Sequence, residues 1–400
     1  MKFFFFGILA AYLCGNVYIF ARGLQSLKAI TPTRRLRPLG IMMQCCFSII
    51  FWIAALSFFV AMFARNASLP QWLSSTLNGV GSAWLVFTLY MVLALLVVDI
   101  TKVVFYQIRR FLNRFGFLLS VIVVSGVLYS GYNNYRNPQI KELEIDLRAK
   151  AAAVVGNTEN AAVVADTISV EDSGISVGKK NLKIVALSDV HLGYSTDKED
   201  LARYVGMINS LLPDIVLIGG DLIDNSVVPL WEQRMYEELL QLKAPMGIYM
   251  VPGNHEFISG IEKSVEFLKN TPVVLLRDSV VVLPGGVQLV GRDDRSNRNR
   301  ASLEELMAGV QKGLPVIMMD HQPYELGLKD SLGVDLQLSG HTHRGQIWPM
   351  NLLIDRMYEQ SHGYRKWDNS HVVVSSGLSL WGPPFRIGTE SDLWVIKVKL

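Results

Sequence analysis

Apolar and polar positions alternate on two scales along this 400-residue chain. Up to about residue 136 the apolar runs are long. Four of them, at about 3–21, 39–63, 82–106 and 115–132, carry almost no charge. A bilayer core of roughly 30 Å takes about 20 helical residues, so each run predicts a membrane-crossing helix rather than a helix in a soluble core. From Leu182 onward the apolar runs shorten and alternate with longer polar, helix-compatible stretches, the rhythm of an α/β domain. Between the two, Ile140 to Leu147 has imperfect alternation compatible with an entry strand. Residues 149–163, rich in Ala and Val around a Gly-Asn-Thr-Glu-Asn break, yield no assignment. The expected organisation is therefore a four-helix transmembrane domain at 1–136, a linker with entry strand at 137–180, and an α/β domain at 181–400.

Charge sharpens this division. Residues 1–136 hold twelve Lys/Arg and one acid, Asp99, whereas the remainder holds 26 Lys/Arg and 34 Asp/Glu. The net +3 describes neither half, and no basic cluster in the second half points to nucleic acid. Arg22, Lys28, Arg34, Arg35 and Arg37 lie between the first two runs, and Lys102 at the end of the third run joins Arg109, Arg110 and Arg114 in the third loop. Arg65 stands alone in the middle loop. The positive-inside rule then places the first and third loops in the cytoplasm, and the N-terminus and the α/β domain outside, with Tyr132 and Tyr135 at the outer interface. Lys2 ahead of an apolar core also fits a signal peptide. No small-x-small cleavage site follows, and Ala11-Tyr12-Leu13 before Cys14 is not a lipoprotein box, so a retained span is expected. Asp99 is three residues from Lys102, and a local ion pair is its expected state. Asn66-Ala67-Ser68 matches a glycosylation triplet, which is common by chance. Cys14, Cys45 and Cys46 all lie in the first part, so thiolate chemistry is excluded from the second.

The candidate chemistry sits at the ends of five short apolar runs. Ile184 to Leu187 leads into Asp189-Val190-His191, and Ile215 to Ile218 into Gly219-Gly220-Asp221-Leu222-Ile223-Asp224. Ile248 to Val251 leads into Gly253-Asn254-His255-Glu256. Val316 to Met319 leads into Asp320-His321-Gln322-Pro323, and Val334 to Leu338 into Gly340-His341-Thr342-His343. Ligand sites of α/β folds form outside the carboxyl ends of strands, so five such loops can converge. Alternate residues of an extended segment face one way, which lets His341 and His343 reach one small volume. The ligand inventory is oxygen and nitrogen without sulfur. It suits Mn, Fe or Zn better than an all-oxygen Mg or Ca site. Seven candidate ligands are too many for one tetrahedral ion, whereas two ions sharing a carboxylate use them, the arrangement that serves in-line displacement at phosphorus.

The ordered set Asp-x-His, Gly-Asp-x-x-Asp, Gly-Asn-His-Glu, His-x-Pro and Gly-His-Thr-His resembles the calcineurin-like metallophosphoesterase superfamily over about residues 180–400. The membrane anchor, Gly-His-Thr-His-x-Gly-Gln and the tail Trp381-Gly-Pro-Pro-Phe-Arg386 are similar to the bacterial YaeI/YkuE-type phosphoesterases. The resemblance implies an αββα sandwich of two mixed sheets with helices outside. It also implies that Asp189, His191 and His343 hold a first metal, that Asp221 bridges, and that Asn254, His321 and His341 complete a second. His255, not itself a ligand, would stabilise the phosphoryl oxygens or protonate the leaving oxygen. The nucleophile implied is a metal-bound hydroxide attacking phosphorus. Glu256 stands where Asp is commoner, and Arg344 where Gly is usual.

Other residues have blander readings beside the functional ones. Asp224 is either a partner of a ligand or a helix cap, and Asp320 either orients His321 or is a solvated loop acid. Arg344 meets a second phosphate or points to solvent, and Arg386 contacts an anionic substrate or lies on a surface loop. Gly291-Arg292-Asp293-Asp294 and the charged run Arg295 to Arg300 read as an exposed loop. His362 and His371 receive no role. The expected activity is hydrolysis of a phosphodiester or pyrophosphate by a multi-pass protein of a bacterial plasma membrane. Tethering favours a lipid or envelope-precursor substrate. The alternatives are a phosphomonoesterase, a transporter or sensor with a regulatory soluble domain, and an inert metal-folded binding module. A transporter would need polar residues within the spans, and apart from Asp99 they look scarce. An inert module would be expected to have lost a ligand or His255, and the set is complete.

Overall fold

The computed structural model describes residues 2–31, 37–63, 71–147 and 181–400. Asn66-Ala67-Ser68 and residues 149–163 lie outside them. Two compact units result, one of Met1–Asn133 with Gly382–Ile387, the other of Asn134–Trp381 with Gly388–Leu400.

The first unit is built from α1 (Lys2–Ile30), α2 (Arg37–Phe63), α3 (Gln71–Val104) and most of α4 (Arg109–Arg136). Three stretches, Arg37–Val60, Thr76–Val104 and Tyr106–Arg136, are long and apolar enough to cross a membrane. The first of the four expected spans is helical in α1 but is not among these three. Aromatic rings fill the packing, with Phe20 stacked on Phe47 at 5.6 Å and Phe51 edge-on to Trp84 at 5.2 Å. Polar side chains are less scarce between the helices than the sequence implied. Asn16 is fully buried, its amide oxygen taking the Trp84 indole N–H at 2.9 Å, and the Tyr12 hydroxyl donates to the Ala55 carbonyl at 2.7 Å. Asp99 does meet Lys102 at 3.2 Å, as the local pair required. It also accepts from the Tyr18 hydroxyl at 2.6 Å and pairs with Arg22, which ties α3 to α1.

Among the described residues, the second unit holds twelve strands: β1 (Gln139–Asp146), β2 (Asn181–Leu187), β3 (Ile215–Ile218), β4 (Ile248–Met250), β5 (Val273–Leu275), β6 (Ser279–Val282), β7 (Gln288–Gly291), β8 (Val316–Met319), β9 (Leu336–Ser339), β10 (Gly363–Lys366), β11 (His371–Val374) and β12 (Asp392–Lys399). Its helices are α5 (Lys198–Ser210), α6 (Val228–Glu232), α7 (Tyr236–Leu239), α8 (Asn254–Ile258), α9 (Ile261–Leu268), α10 (Leu303–Ala308), α11 (Leu326–Ser331) and α12 (Met350–Met357). The strands form two six-stranded mixed sheets, ordered β1-β12-β2-β3-β4-β5 and β10-β11-β9-β8-β7-β6.

Period-two alternation decides which faces meet. Ile184, Ala186, Ile215 and Leu217 of one sheet pack against Leu289, Ile317, Met319 and Leu336 of the other. The intervening Val185, Leu187, Val216 and Ile218 face Leu201, Tyr204 and Val205 of α5 and Phe267 of α9. Across the sandwich, Val316 and Met318 lie under Leu303 and Leu306 of α10. The layers are helix, sheet, sheet, helix. The expected entry strand is β1, running parallel to β12 from Gln139 opposite Asp392. Tyr135, expected at a lipid interface, is instead buried, with its hydroxyl 3.4 Å from Asp200. The Gly291-to-Asp294 stretch is not an exposed loop either. Arg292, Asp293 and Asp294 are buried, because Asp320, Arg277 and Gln322 supply partners that local composition does not reveal.

Candidate metal centre

β2, β3, β4, β8 and β9 deliver their carboxyl ends to one place, and each expected loop starts there. The loops turn abruptly. Asp189, His191, Asp221, His341 and His343 all have left-handed backbone, with φ of 55, 50, 53, 73 and 47°. Such φ values in non-glycine residues cost about 1–2 kcal/mol each, and clusters of them mark functional sites. Glycine is required beside them. A Cβ on Gly220 (φ 97°) would sit 2.6 Å from the His321 Nδ1, and one on Gly253 would collide with the Asp221 carboxylate.

Three groups of donor atoms result: Asp189 with His191 and His343; Asp221 with His321 and His341; and His191 with Asp224 and His255. In the first, the Nε2 atoms of His191 and His343 are 3.0 Å apart, and Asp189 Oδ1 lies 3.5 Å from His343 Nε2 and 4.0 Å from His191 Nε2. Ligands about 2.0–2.2 Å from one tetrahedral ion are about 3.3 Å apart, so these atoms already stand at coordination spacing. In the second group, His321 Nδ1 is 2.8 Å from the Gly219 carbonyl. A carbonyl only accepts, so Nδ1 carries the hydrogen. The buried Nε2 then has no hydrogen bond and faces Asp221 Oδ2 at 3.1 Å, an acceptor turned on an acceptor that only a proton or a cation relieves. Four imidazoles, two carboxylates and the Asn254 carboxamide, with no sulfur, fit a divalent transition metal. Asp221 Oδ2 is also 3.9 Å from His191 Nε2, between the two groups, while Oδ1 accepts the His255 backbone N–H at 2.8 Å. Asn254 Oδ1 lies 2.9 Å from His341 Nδ1.

The electrostatics follow from dense burial. Burial opposes a charge on His321, but Asp221, Asp189 and Asp294 overcome it and hold its pKa well above the ordinary value. His341, half-buried and beside the His321 charge, is pushed down to about 4. Burial raises Asp189. It opposes ionisation of Asp221 and Asp224 too, yet the surrounding imidazoles hold both below the ordinary carboxylate range.

Residues with two readings now have positions. Asp224 is no helix cap: its Oδ1 lies 3.2 Å from His255 Nδ1 and 3.4 Å from His191 Nδ1, against both rings at once. Asp320 neither orients His321 nor meets solvent. It is buried in an ion cluster with Lys329 at 2.8 Å, Arg292 at 3.3 Å and Arg300 at 3.6 Å. Arg344 is half-buried with its Nε enclosed and without a hydrogen bond. Arg386 is not on a surface loop; it is fully buried, and its backbone N–H donates to the Gly131 carbonyl at 2.9 Å.

Glu256 matters more than the sequence implied. Fully buried, it accepts the backbone N–H groups of Asp221 (3.0 Å), Ile223 (2.9 Å) and Gly253 (2.7 Å), clamping the Asp221 and Asn254 loops together. Burial, then the nearby Asp221, pushes its carboxyl up to about 7. Asp294, also missed, faces His321 and accepts from Gln322 at 2.8 Å. Its signal was present: an acid placed just after the apolar run of β7.

The two-sheet α/β sandwich gathers imidazoles and carboxylates at its strand ends, a donor set that could hold metal. Residues 182–345 match the family described as Calcineurin-like phosphoesterase. A metallophosphoesterase of Helicobacter pylori is 36% identical over 225 residues, 55% of this chain and 60% of that protein. One of Campylobacter jejuni is 27% identical over 99% of this chain and 98% of its own length. The YkuE metallophosphoesterase of Bacillus subtilis is 28% identical over 73% of this chain and 97% of its own, in keeping with the narrower resemblance.

Proposed function

We propose that this chain is a membrane-anchored phosphoesterase that uses two divalent metal ions to hydrolyse a phosphodiester or pyrophosphate at a bilayer surface. The observation that carries this reading is the convergence of donor atoms about Asp221 Oδ2, 3.1 Å from His321 on one side and 3.9 Å from His191 on the other. Asp189, His191 and His343 would hold one ion and Asn254, His321 and His341 the other, with the Asp221 carboxylate available to both. When bound, the ions polarise phosphoryl oxygens and lower the pKa of water enough to make it nucleophilic near neutral pH. Asp224 takes the Nδ1 of His255, which leaves Nε2 to donate to a phosphoryl oxygen or to protonate the leaving oxygen. The Trp381 ring stands edge-on to His255 at 6.1 Å between centroids.

Location argues for the substrate class. Only Asn137 and Pro138 separate α4 from β1, so the α/β unit works close to the bilayer, where lipid head groups and lipid-linked pyrophosphates are the phosphoesters at hand. We read α1 as a fourth span, supported by the hydrogen bond that Tyr12 donates to α2 and the one that Asn16 accepts from Trp84 of α3. The lysine and arginine distribution then puts the α/β unit outside the cell. The test is hydrolysis of bis(p-nitrophenyl) phosphate by the full chain in detergent with Mn. Turnover is expected in the wild type. It should collapse with metal occupancy in Asp221→Asn, and fall about 10²–10⁴-fold with metal retained in His255→Asn. Absence of metal-dependent turnover of any phosphoester by the wild type overturns the reading.

A further inference from the structure

The loop carrying His341 and His343 continues directly into an apolar ridge. Trp348, Met350, Leu352, Leu353 and Met357 expose 45, 43, 47, 54 and 58% of their surface, within ten residues of chain. Scattered exposed apolar residues are ordinary, but a contiguous set marks a contact surface. The ridge is fixed to the site. Gly345 lies so tightly against the backbone of Met350 and Asn351 that a Cβ there would come within 2.7 Å of both, and Asn351 on the opposite side of α12 is buried. With Trp348 just ahead of it, Leu352 and Leu353 exposed and Arg356 in its last turn, α12 has the make-up of a helix that lies in a membrane interface.

We propose that Trp348 and α12 are a bilayer-contacting ridge that seats the catalytic loop at the lipid surface, so that a head-group phosphoester enters the metal centre without leaving the membrane. This rests on the phosphoesterase reading above. A lipid surface is the occupant because it is always within reach: the candidate span Tyr106–Arg136 ends two residues before β1. A second copy of the chain would have to be met by diffusion.

The test needs no turnover, so its failure is distinct from failure of the phosphoesterase reading. The full chain, with Cys14, Cys45 and Cys46 changed to Ser, receives an environment-sensitive fluorophore at Leu353→Cys, or at Lys269→Cys as an exposed control. Each is placed in phosphatidylethanolamine–phosphatidylglycerol nanodiscs with and without doxyl-labelled lipid. The probe at 353 should be quenched at least about two-fold by doxyl lipid, and the probe at 269 should not. Labels at Met350→Cys and Met357→Cys repeat the reading should the first disturb α12. Probes on the ridge as unquenched as that at 269 overturn the proposal. So do probes shielded equally in detergent with a doubled protein mass, which would mean that a second copy covers the ridge.

Discussion

Replacing Glu256 by Gln keeps the size of the side chain and removes only its ability to accept on both oxygens. In the wild type Oε2 takes the N–H groups of Asp221 and Gly253, and Oε1 takes that of Ile223. With the amide oxygen kept for the first two, the amide NH₂ faces the Ile223 N–H, a donor against a donor in a fully buried place. One orphaned buried N–H costs about 1–3 kcal/mol, and loss of charge assistance in the other two bonds adds roughly 1 kcal/mol. A net loss of about 2–4 kcal/mol lowers the unfolding midpoint of a domain this size by about 5–10 °C. The same change frees the Asp221 and Asn254 loops from one another. Metal half-saturation should therefore shift about 10–100-fold, the usual scale for losing a group that orients ligands. The assay is thermal unfolding of the metal-free full chain in detergent, followed by tryptophan fluorescence, with a Mn titration of activity beside it. An E256Q protein that melts within about 1 °C of wild type and binds Mn equally would refute the clamp.

Two further outcomes follow from buried charge. Asp320→Ala strands the buried Lys329 and should cost about 3–5 kcal/mol in chemical denaturation, whereas Asp320→Leu with Lys329→Met should recover most of it; equal losses in both would deny that the stranded charge is the cause. Asp330, one residue on, accepts four hydrogen bonds from Asn369 and Ser370. Burial raises its pKa, but those bonds more than offset it and leave it below the ordinary value. A depressed carboxylate stabilises above its unfolded pKa, so Asp330→Ala should cost about 2–4 kcal/mol at neutral pH. The gap should close as pH falls below about 4; a gap independent of pH would contradict this.

Much of the α/β unit was legible because its signals are local. Short apolar runs became β2, β3, β4, β8 and β9, and each ended in the Asp, Asn or His that a strand-end site needs. Burial of charge was not legible, because it depends on partners far along the chain. Arg292 is buried because Asp320 and Glu325 pair with it, and nothing near Arg292 in the sequence says so. The role of Glu256 was hidden for the same reason, since its acceptors serve N–H groups 33 and 35 residues upstream. Pairing of β1 with β12, across some 250 residues, leaves no local trace beyond imperfect alternation. Between the helices, Asn16 finds its partner in Trp84, 68 residues on, a pairing that leaves no local mark in the sequence.

The central claim is that two ions share Asp221. Crystals of the full chain grown with Mn, with diffraction collected on both sides of the Mn absorption edge, test it most directly. The account predicts two anomalous peaks about 3.5–4 Å apart, one against Asp189, His191 and His343, the other against Asn254, His321 and His341, with Asp221 touching both. A single peak with either set of residues unliganded, at saturating Mn, would contradict it.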